Sequence, residues 1–224
     1  KKIDPISFAL VVLLGASATF AGVQLWLTGM NGNQTVSNPA NGDNDVVYTN
    51  GDGTTTVNKT TDAKTVALLQ EVIKSPLEGE DVVVAKSYYD QTADTSIQVK
   101  SLFNYKVGET VYTRESKGVS LKNSNNEEVS VVAALSGKVL TVKDEVLKGT
   151  VVTIEHQNGV KTVYTGVYDV AVEAGAEIEQ GDVIGKTGLS QLEPDSGNVV
   201  HFEVLKDNVK VNPETVIDKK LGDL

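Results

Sequence analysis

The sequence predicts a mainly β protein held at its N-terminus by a single apolar span. Three features carry that expectation. A long uncharged segment opens the chain, a polar segment follows it, and the C-terminal two thirds is rich in alternating Val, Ile, Thr and Tyr. The uncharged segment runs from Ile6 to Met30 as "ISFALVVLLGASATFAGVQLWLTGM". A spanning helix needs about 20 apolar residues to cross a hydrocarbon core of ~30 Å. Trp26, near the far end, suits the membrane interface. A cleaved signal peptide is the rival reading, because "ASA" lies inside the run. The apolar core of a signal peptide is only about 7–15 residues long, however, and this run extends well past "ASA". A retained anchor is therefore expected. Lys1 and Lys2 precede the span and an acidic chain follows it, so the positive-inside bias puts the N-terminus in the cytoplasm and the bulk outside. The chain begins at Lys1 rather than Met, so a short piece is expected to precede it.

Residues 31–62, "NGNQTVSNPANGDNDVVYTNGDGTTTVNKTTD", are rich in Asn, Gly, Thr and Asp. Such a stretch buries too little apolar surface to offset its ordering entropy and reads as a flexible tether. The segment "AKTVALLQEVI" (63–73) carries Val66, Leu68, Leu69 and Ile73 near helical spacing, with Asp62 as a candidate cap and Pro76 as a stop. The remaining runs read as strands: "DVVVAKSYYD" (81–90), "SIQVKSLFNYKVG" (96–108), "EVSVVAALSGKVLTVKD" (128–144), "GTVVTIEHQNGVKTVYTGV" (149–167) and "HFEVLKDNVKVNP" (201–213). Asn158-Gly159 between two such runs predicts a type I′ hairpin. Asp207-Asn208 predicts a second tight turn. The expected organisation is a cytoplasmic stub and anchor (1–30), a linker (31–62), a short helix with leading strands (63–110), an antiparallel β domain (111–217) and a tail (218–224).

Composition narrows the function. The 224 residues carry a net charge of −10. The sequence offers no basic patch to displace counterions from phosphates, so a nucleic-acid partner is not expected. Cysteine is absent, which removes disulfides, thiol catalysis and cysteine zinc sites. Only two histidines occur, His156 and His201. His156, two residues before the Asn158-Gly159 turn, reads as a solvent-facing hairpin residue.

"SGKV" (136–139), "VEAGAEIEQGDVIGKTG" (172–188) and "HFEV" (201–204), in this order around the hairpin, resemble the LytM or lysostaphin-type metallopeptidase family over roughly 112–217. The resemblance implies an antiparallel, duplicated hybrid-motif fold. Active members cleave peptide bonds in peptidoglycan with one zinc, held by His and Asp of H-x-G-x-D and by the last His of H-x-H. Two further histidines position and activate the water. Carried over residue by residue, "SKGVS" (116–120) puts Ser116 for the His and Ser120 for the Asp. "VYTGV" (163–167) puts Gly166 for one catalytic His. "VVHFE" (199–203) puts Val199 for the other and keeps only His201. Neutral hydroxyls are poor zinc ligands, one imidazole cannot hold the ion, and Gly and Val move no proton. The resemblance thus implies no metal, no cofactor and no enzyme. Glu203 is expected to be structural.

"YTRESKG" (112–118), "VIGKTG" (183–188), "EPDSGNVVHFEVLKDNVKVNP" (193–213), "VVVAKSYYD" and "FNYKVGETV" further resemble the anchored branch of the family that serves endospore formation. That implies a non-catalytic scaffold in the forespore membrane. Its outer domain would bind a stage III sporulation protein AH-type partner from the facing membrane, with a ring of copies as one form of the assembly. The competing readings are a degenerate regulator of a cell-wall amidase, or a peptidoglycan binder. Such regulators usually carry coiled-coil heptads, and none occurs here. An active zinc endopeptidase with an unusual site is a third reading. A biotinyl carrier is excluded, because no lysine lies beside a methionine at a hammerhead tip and the only Met is Met30.

Overall fold

The computed structural model describes residues 36–37, 45–49, 55–59, 63–79 and 81–224. The expected anchor, the linker outside its strands and the Asp62 cap lie outside the described residues. Among the described residues no helix is long and apolar enough to cross a membrane. The chain divides into two compact units, Lys1–Asp62 and Ala63–Leu224.

In the first unit, β1 (Val36–Ser37), β2 (Asp45–Thr49) and β3 (Thr55–Lys59) form an antiparallel sheet in that order. "DVVYT" and "TTVNK" are rich in β-branched residues and are separated in sequence by "NGDGT", which is hairpin chemistry inside a polar stretch. Asp45 faces Lys59 across this hairpin and Thr49 faces Thr55.

The second unit begins with a helix, α1 (Ala63–Leu69), shorter than its apolar spacing suggests. It continues through β4 (Val82–Lys86), α2 (Thr95–Lys100), β5 (Leu102–Val107), β6 (Thr110–Glu115), β7 (Val119–Asn123) and β8 (Ser130–Val132). Then follow β9 (Gly137–Glu145), β10 (Gly149–Glu155), β11 (Val160–Val167), β12 (Glu177–Ile178), β13 (Val183–Lys186) and β14 (Gly188–Leu189). The chain closes with β15 (Asn198–Lys206), β16 (Val209–Val211) and α3 (Pro213–Val216). The main sheet has the order β12-β9-β10-β11-β15-β7-β4, with β14 and β16 also paired to β15. All its pairings are antiparallel. Two small sheets, β13-β8 and β5-β6, accompany it.

The hairpin expectations hold. Asn158 and Gly159 have φ of 59° and 66°, and Asp207 and Asn208 have 50° and 64°. Two successive left-handed residues match the right-handed twist of the flanking strands. Both turns also sit side by side, since the Asp207 N–H donates to the Gly159 carbonyl at 2.9 Å.

The strand expectation for residues 96–100 is wrong. Ile97 and Val99 alternate as a strand would, yet they lie on α2 and are 48 % and 58 % exposed. No buried face uses the alternation. Local hydrogen bonds win instead: Gln98 N–H donates to Asp94 O at 3.0 Å, Ser101 N–H to Ile97 O at 3.1 Å, and the Gln98 amide to Ala93 O at 2.8 Å. The run 128–144 is likewise two strands. It breaks after Val132, where Ala133 N–H turns to Asp182 O at 2.9 Å.

The core lies on one face of the main sheet. Tyr164 and Phe202, paired across β11 and β15, are completely buried with ring centroids 5.3 Å apart. Ile73, Leu135, Ile154, Ile184 and Leu221 join them at zero exposure. Leu221 belongs to the stretch expected as a tail. The chain end packs back instead, with Leu221 N–H donating to Glu71 O at 2.8 Å and Asp218 N–H to Ile73 O at 2.8 Å. The "SGKV" motif has a steric reason. A Cβ on Gly137 would lie 2.2 Å from Glu155 O and 2.7 Å from His156 Nδ1, so only glycine admits this approach.

Candidate functional site: a relic peptidase centre

Antiparallel register brings two of the five predicted positions together. His201 on β15 faces Ser120 on β7 and Thr165 on β11. The Ser120 hydroxyl donates to Glu193 Oε1 at 2.7 Å and lies 3.1 Å from His201 Nδ1. Its single proton is committed to the carboxylate, so the imidazole carries a proton on Nδ1 and donates it to Ser120 Oγ. The other ring nitrogen, Nε2, lies 3.6 Å from Glu203 Oε1. Lys210 Nζ donates to the same oxygen at 2.7 Å. Burial pushes the Glu203 carboxyl up, but the facing His201 ring and the Lys210 hydrogen bond outweigh it and hold the group below the usual carboxylate range. Phe103 from β5 stands edge-on to the imidazole, centroids 5.2 Å apart at 77°. The Lys86 ammonium caps that ring, 5.2 Å from its centroid.

None of the other three positions makes a hydrogen bond to His201. Ser116 is fully buried and its hydroxyl donates to Gly118 O at 2.8 Å. Val199 is a core residue, 1 % exposed, opposite Gly188. Gly166 lies on β11 with φ +81°. An L-residue is strained in that conformation, so the backbone itself no longer suits an imidazole there.

A zinc ion does not fit this donor set. Both serine hydroxyls are neutral and already committed, and His201 Nδ1 faces one of them. Among the described residues no group of three His, Cys, Asp or Glu side chains could hold a metal. A nucleophilic serine does not fit either, although Ser120, His201 and Glu203 follow in the order of a hydrolytic triad. Ser120 has zero exposure, so no substrate carbonyl reaches it. The Glu193 carboxylate against its oxygen would also repel a developing oxyanion. In front of His201 a groove of about 210 Å³ remains, walled by Phe103, Tyr105, Arg114, Leu192 and Glu203.

Glu193 and Phe103 were not legible as site residues. Glu193 is 5 % exposed and accepts from Ser196 Oγ at 3.0 Å as well as from Ser120. It lies 73 residues from Ser120 in sequence, and no local pattern joins them.

His156 corrects the sequence reading. It is not solvent-facing but 6 % exposed. Nδ1 lies 2.9 Å from Ser136 O and Nε2 lies 2.8 Å from Thr162 Oγ1. A carbonyl only accepts, so Nδ1 carries the proton and Nε2 accepts from Thr162. Thr162 Oγ1 is 3.2 Å from the Tyr164 hydroxyl, which in turn receives Ala134 N–H at 2.9 Å. The chain closes with every group satisfied only when His156 is neutral. Burial accordingly pushes the His156 ring down in pKa, against the Ser136 bond. Burial pushes Tyr164 up to about 12, against its bonds with Thr162 and Ala134.

Comparison with known proteins agrees with this geometry. The profile described as peptidase family M23 matches residues 114–213, within the stretch 112–217 read from the motifs. Stage II sporulation protein Q of Bacillus subtilis (strain 168) is 30 % identical over 217 residues, covering 97 % of this chain and 72 % of that protein. A solved structure of the SpoIIQ–SpoIIIAH pore-forming complex contains a chain 35 % identical, with a TM-score of 0.64 over 69 % of this chain and 96 % of that one. A crystal structure of the SpoIIIAH and SpoIIQ complex contains a chain 37 % identical, with a TM-score of 0.59 over 63 % and 96 %. A peptidase frame whose centre holds an inward hydrogen-bond chain where catalysis needs metal and free bases has left enzymology, and the chain belongs to the stage II sporulation protein Q family as a non-catalytic member.

Proposed function

We propose that this protein is a non-catalytic, membrane-anchored scaffold of endospore formation whose LytM-like domain binds a SpoIIIAH-type partner across the space between two membranes. The observation that carries this is the match to chains solved in SpoIIQ–SpoIIIAH complexes, which spans 96 % of each of those chains at 35 % and 37 % identity. Residues 6–30 anchor the chain in the forespore membrane with the N-terminus cytoplasmic, and 31–62 space the domain from the bilayer. Residues 63–110 then lead into the peptidase-like domain, 111–217. Ser116, Ser120 and His201 are the remains of the metal set, and Gly166 and Val199 of the catalytic pair. Loss of the ligands supports the reading, because a scaffold needs the frame and its surfaces but no Lewis acid.

The test is co-purification of the full chain, in detergent, with the SpoIIIAH-type protein of the same organism. A stoichiometric complex is expected. Recovery of a cell-wall amidase in its place would overturn the partner. Tight stoichiometric zinc uptake, or chelator-sensitive cleavage of a cross-linked peptidoglycan peptide, would overturn the inert centre.

A further inference from the structure

The groove in front of His201 keeps polar groups that the relic centre does not use. Strand alternation builds its floor. Tyr164 and Phe202 point into the core, so Val163 and Thr165 of β11, like His201 and Glu203 of β15, point to the groove. Register sets Thr165 between Val151 of β10 and His201, and Val163 between Thr153 and Glu203. The β5–β6 hairpin forms one wall. It pairs Phe103 with Arg114 and Tyr105 with Tyr112. The two tyrosine rings stack with centroids 5.7 Å apart, which fixes the Tyr105 side of the wall.

Two independent observations point to a ligand. The first is a charge left over. Lys117 on the groove is paired with Glu115 at 2.6 Å, Lys148 with Glu145, and Lys210 with Glu203 at 2.7 Å. Among the described residues the Arg114 guanidinium, on the same groove, makes no ion pair and no hydrogen bond. The groove thus carries a surplus positive charge in a chain of net charge −10. The second is a hydroxyl without a partner. Thr165 is 8 % exposed, and among the described residues nothing bonds its Oγ1. Buried hydroxyls are normally satisfied. No described side-chain oxygen that is sealed from solvent lacks a partner, so this one opens onto the groove that Thr165 lines.

We propose that this groove binds the carboxylate of a small organic ligand, with the Arg114 guanidinium as its counter-ion and the Thr165 hydroxyl as a further donor. A planar fork of N–H donors suits a carboxylate better than any other common anion of that size. Wall and floor face one space of about 210 Å³. That is below the ~300 Å³ at which drug-sized ligands begin, so the ligand is the size of an amino-acid residue. Tyr105, Val163 and Leu192 offer apolar contact to the rest of it. Both edges of β11 are paired, to β10 and β15, so the floor offers no backbone ladder and selection falls to side chains. The site does not rest on the scaffold reading, and its failure would leave that reading intact.

The test titrates the full chain, in detergent, with N-acetyl-leucine and with its neutral counterpart N-acetyl-leucinamide, following the amide NMR signals of Phe103, Thr165 and His201. The acid is expected to shift these signals and to bind at least about fivefold more tightly than the amide. Arg114→Gln, at an exposed position, is expected to abolish that preference. Thr165→Val, close in shape, is expected to weaken the acid about threefold or more. The peptide acetyl-Ala-Glu-Ala-amide separates the sources of the carboxylate. Tighter binding than that of N-acetyl-leucine assigns it to an acidic side chain of a polypeptide, and weaker binding to a free small acid. Either supports the site when Arg114→Gln abolishes it. Equal binding of acid and amide, a preference that survives Arg114→Gln, or no shift at these residues with about 20 mM acid would overturn the proposal.

Discussion

The two histidines of this protein, His156 just past the end of β10 and His201 within β15, do opposite kinds of work. His156 belongs to a chain of neutral groups, from Ser136 O through Thr162 to Tyr164 and Ala134. His201 belongs to a chain with charged ends, from Glu193 through Ser120 to Glu203 and Lys210. The first is closed, because each donor meets one acceptor and removing any member orphans the next. The second is redundant. Without His201, Ser120 still has Glu193 and Glu203 still has Lys210. The redundancy tells why this arrangement is stable: Glu193 is satisfied by two serine hydroxyls and Glu203 by Lys210, whatever stands at position 201.

The sharpest way to break this comparison is truncation. His156→Leu leaves Ser136 O buried without its donor and takes from the Thr162 hydroxyl its acceptor, and is expected to cost about 2–3 kcal/mol in denaturant unfolding. His201→Leu is expected to cost less than about 1 kcal/mol. A larger loss at position 201 than at 156 would reverse the argument. Ser120→Ala comes next, at about 1–2 kcal/mol, because Glu193 Oε1 then loses its donor inside the sheet.

Tyr164→Phe removes a link of the neutral chain and is expected to cost about 1 kcal/mol at neutral pH. It also changes the alkaline limb. The folded Tyr164 is pushed up to about 12 from 10, so its stabilisation is complete below pH 10 and is lost as pH rises towards 12. The Phe variant should lack that component of the decline in a urea-midpoint profile. His156 governs the other limb. Its folded value lies below the ordinary imidazole value of 6.5, so the unfolded chain binds the extra proton. Stability is complete above pH 6.5 and falls as pH drops below it. His156→Gln should flatten that step. The smallest effect is expected at Lys210→Met, about 0.5 kcal/mol, as a half-exposed pair is broken. Because Glu203 is held below 4.5, its stabilisation is present above that pH and is lost as pH falls through the depressed value. Lys210→Met should move this acid step upwards.

Much of this was legible without coordinates. Turn chemistry at Asn158-Gly159 and Asp207-Asn208 fixed two registers, because left-handed residues in pairs suit few other structures. Ser116, Ser120, Gly166 and Val199, set against the family's motifs, led the sequence to imply a centre without metal chemistry. Three readings failed for one shared reason. Ile97 and Val99 alternate on a helix, His156 near a turn tip is buried, and the chain end at Leu221 is core. In each case the deciding neighbour lies far away in sequence or is absent: no sheet receives the 97–99 face, Ser136 reaches His156, and Glu71 receives Leu221.

The sequence by itself determined the β class, the hairpins and the loss of a catalytic centre, since these follow from side-chain chemistry and from turns of two residues. Only the tertiary structure decided that Glu193 anchors Ser120, that Phe103 covers His201 and that His156 must remain neutral. Those depend on which strands lie side by side, and burial and hydrogen-bond partnership are properties of that adjacency rather than of any local pattern.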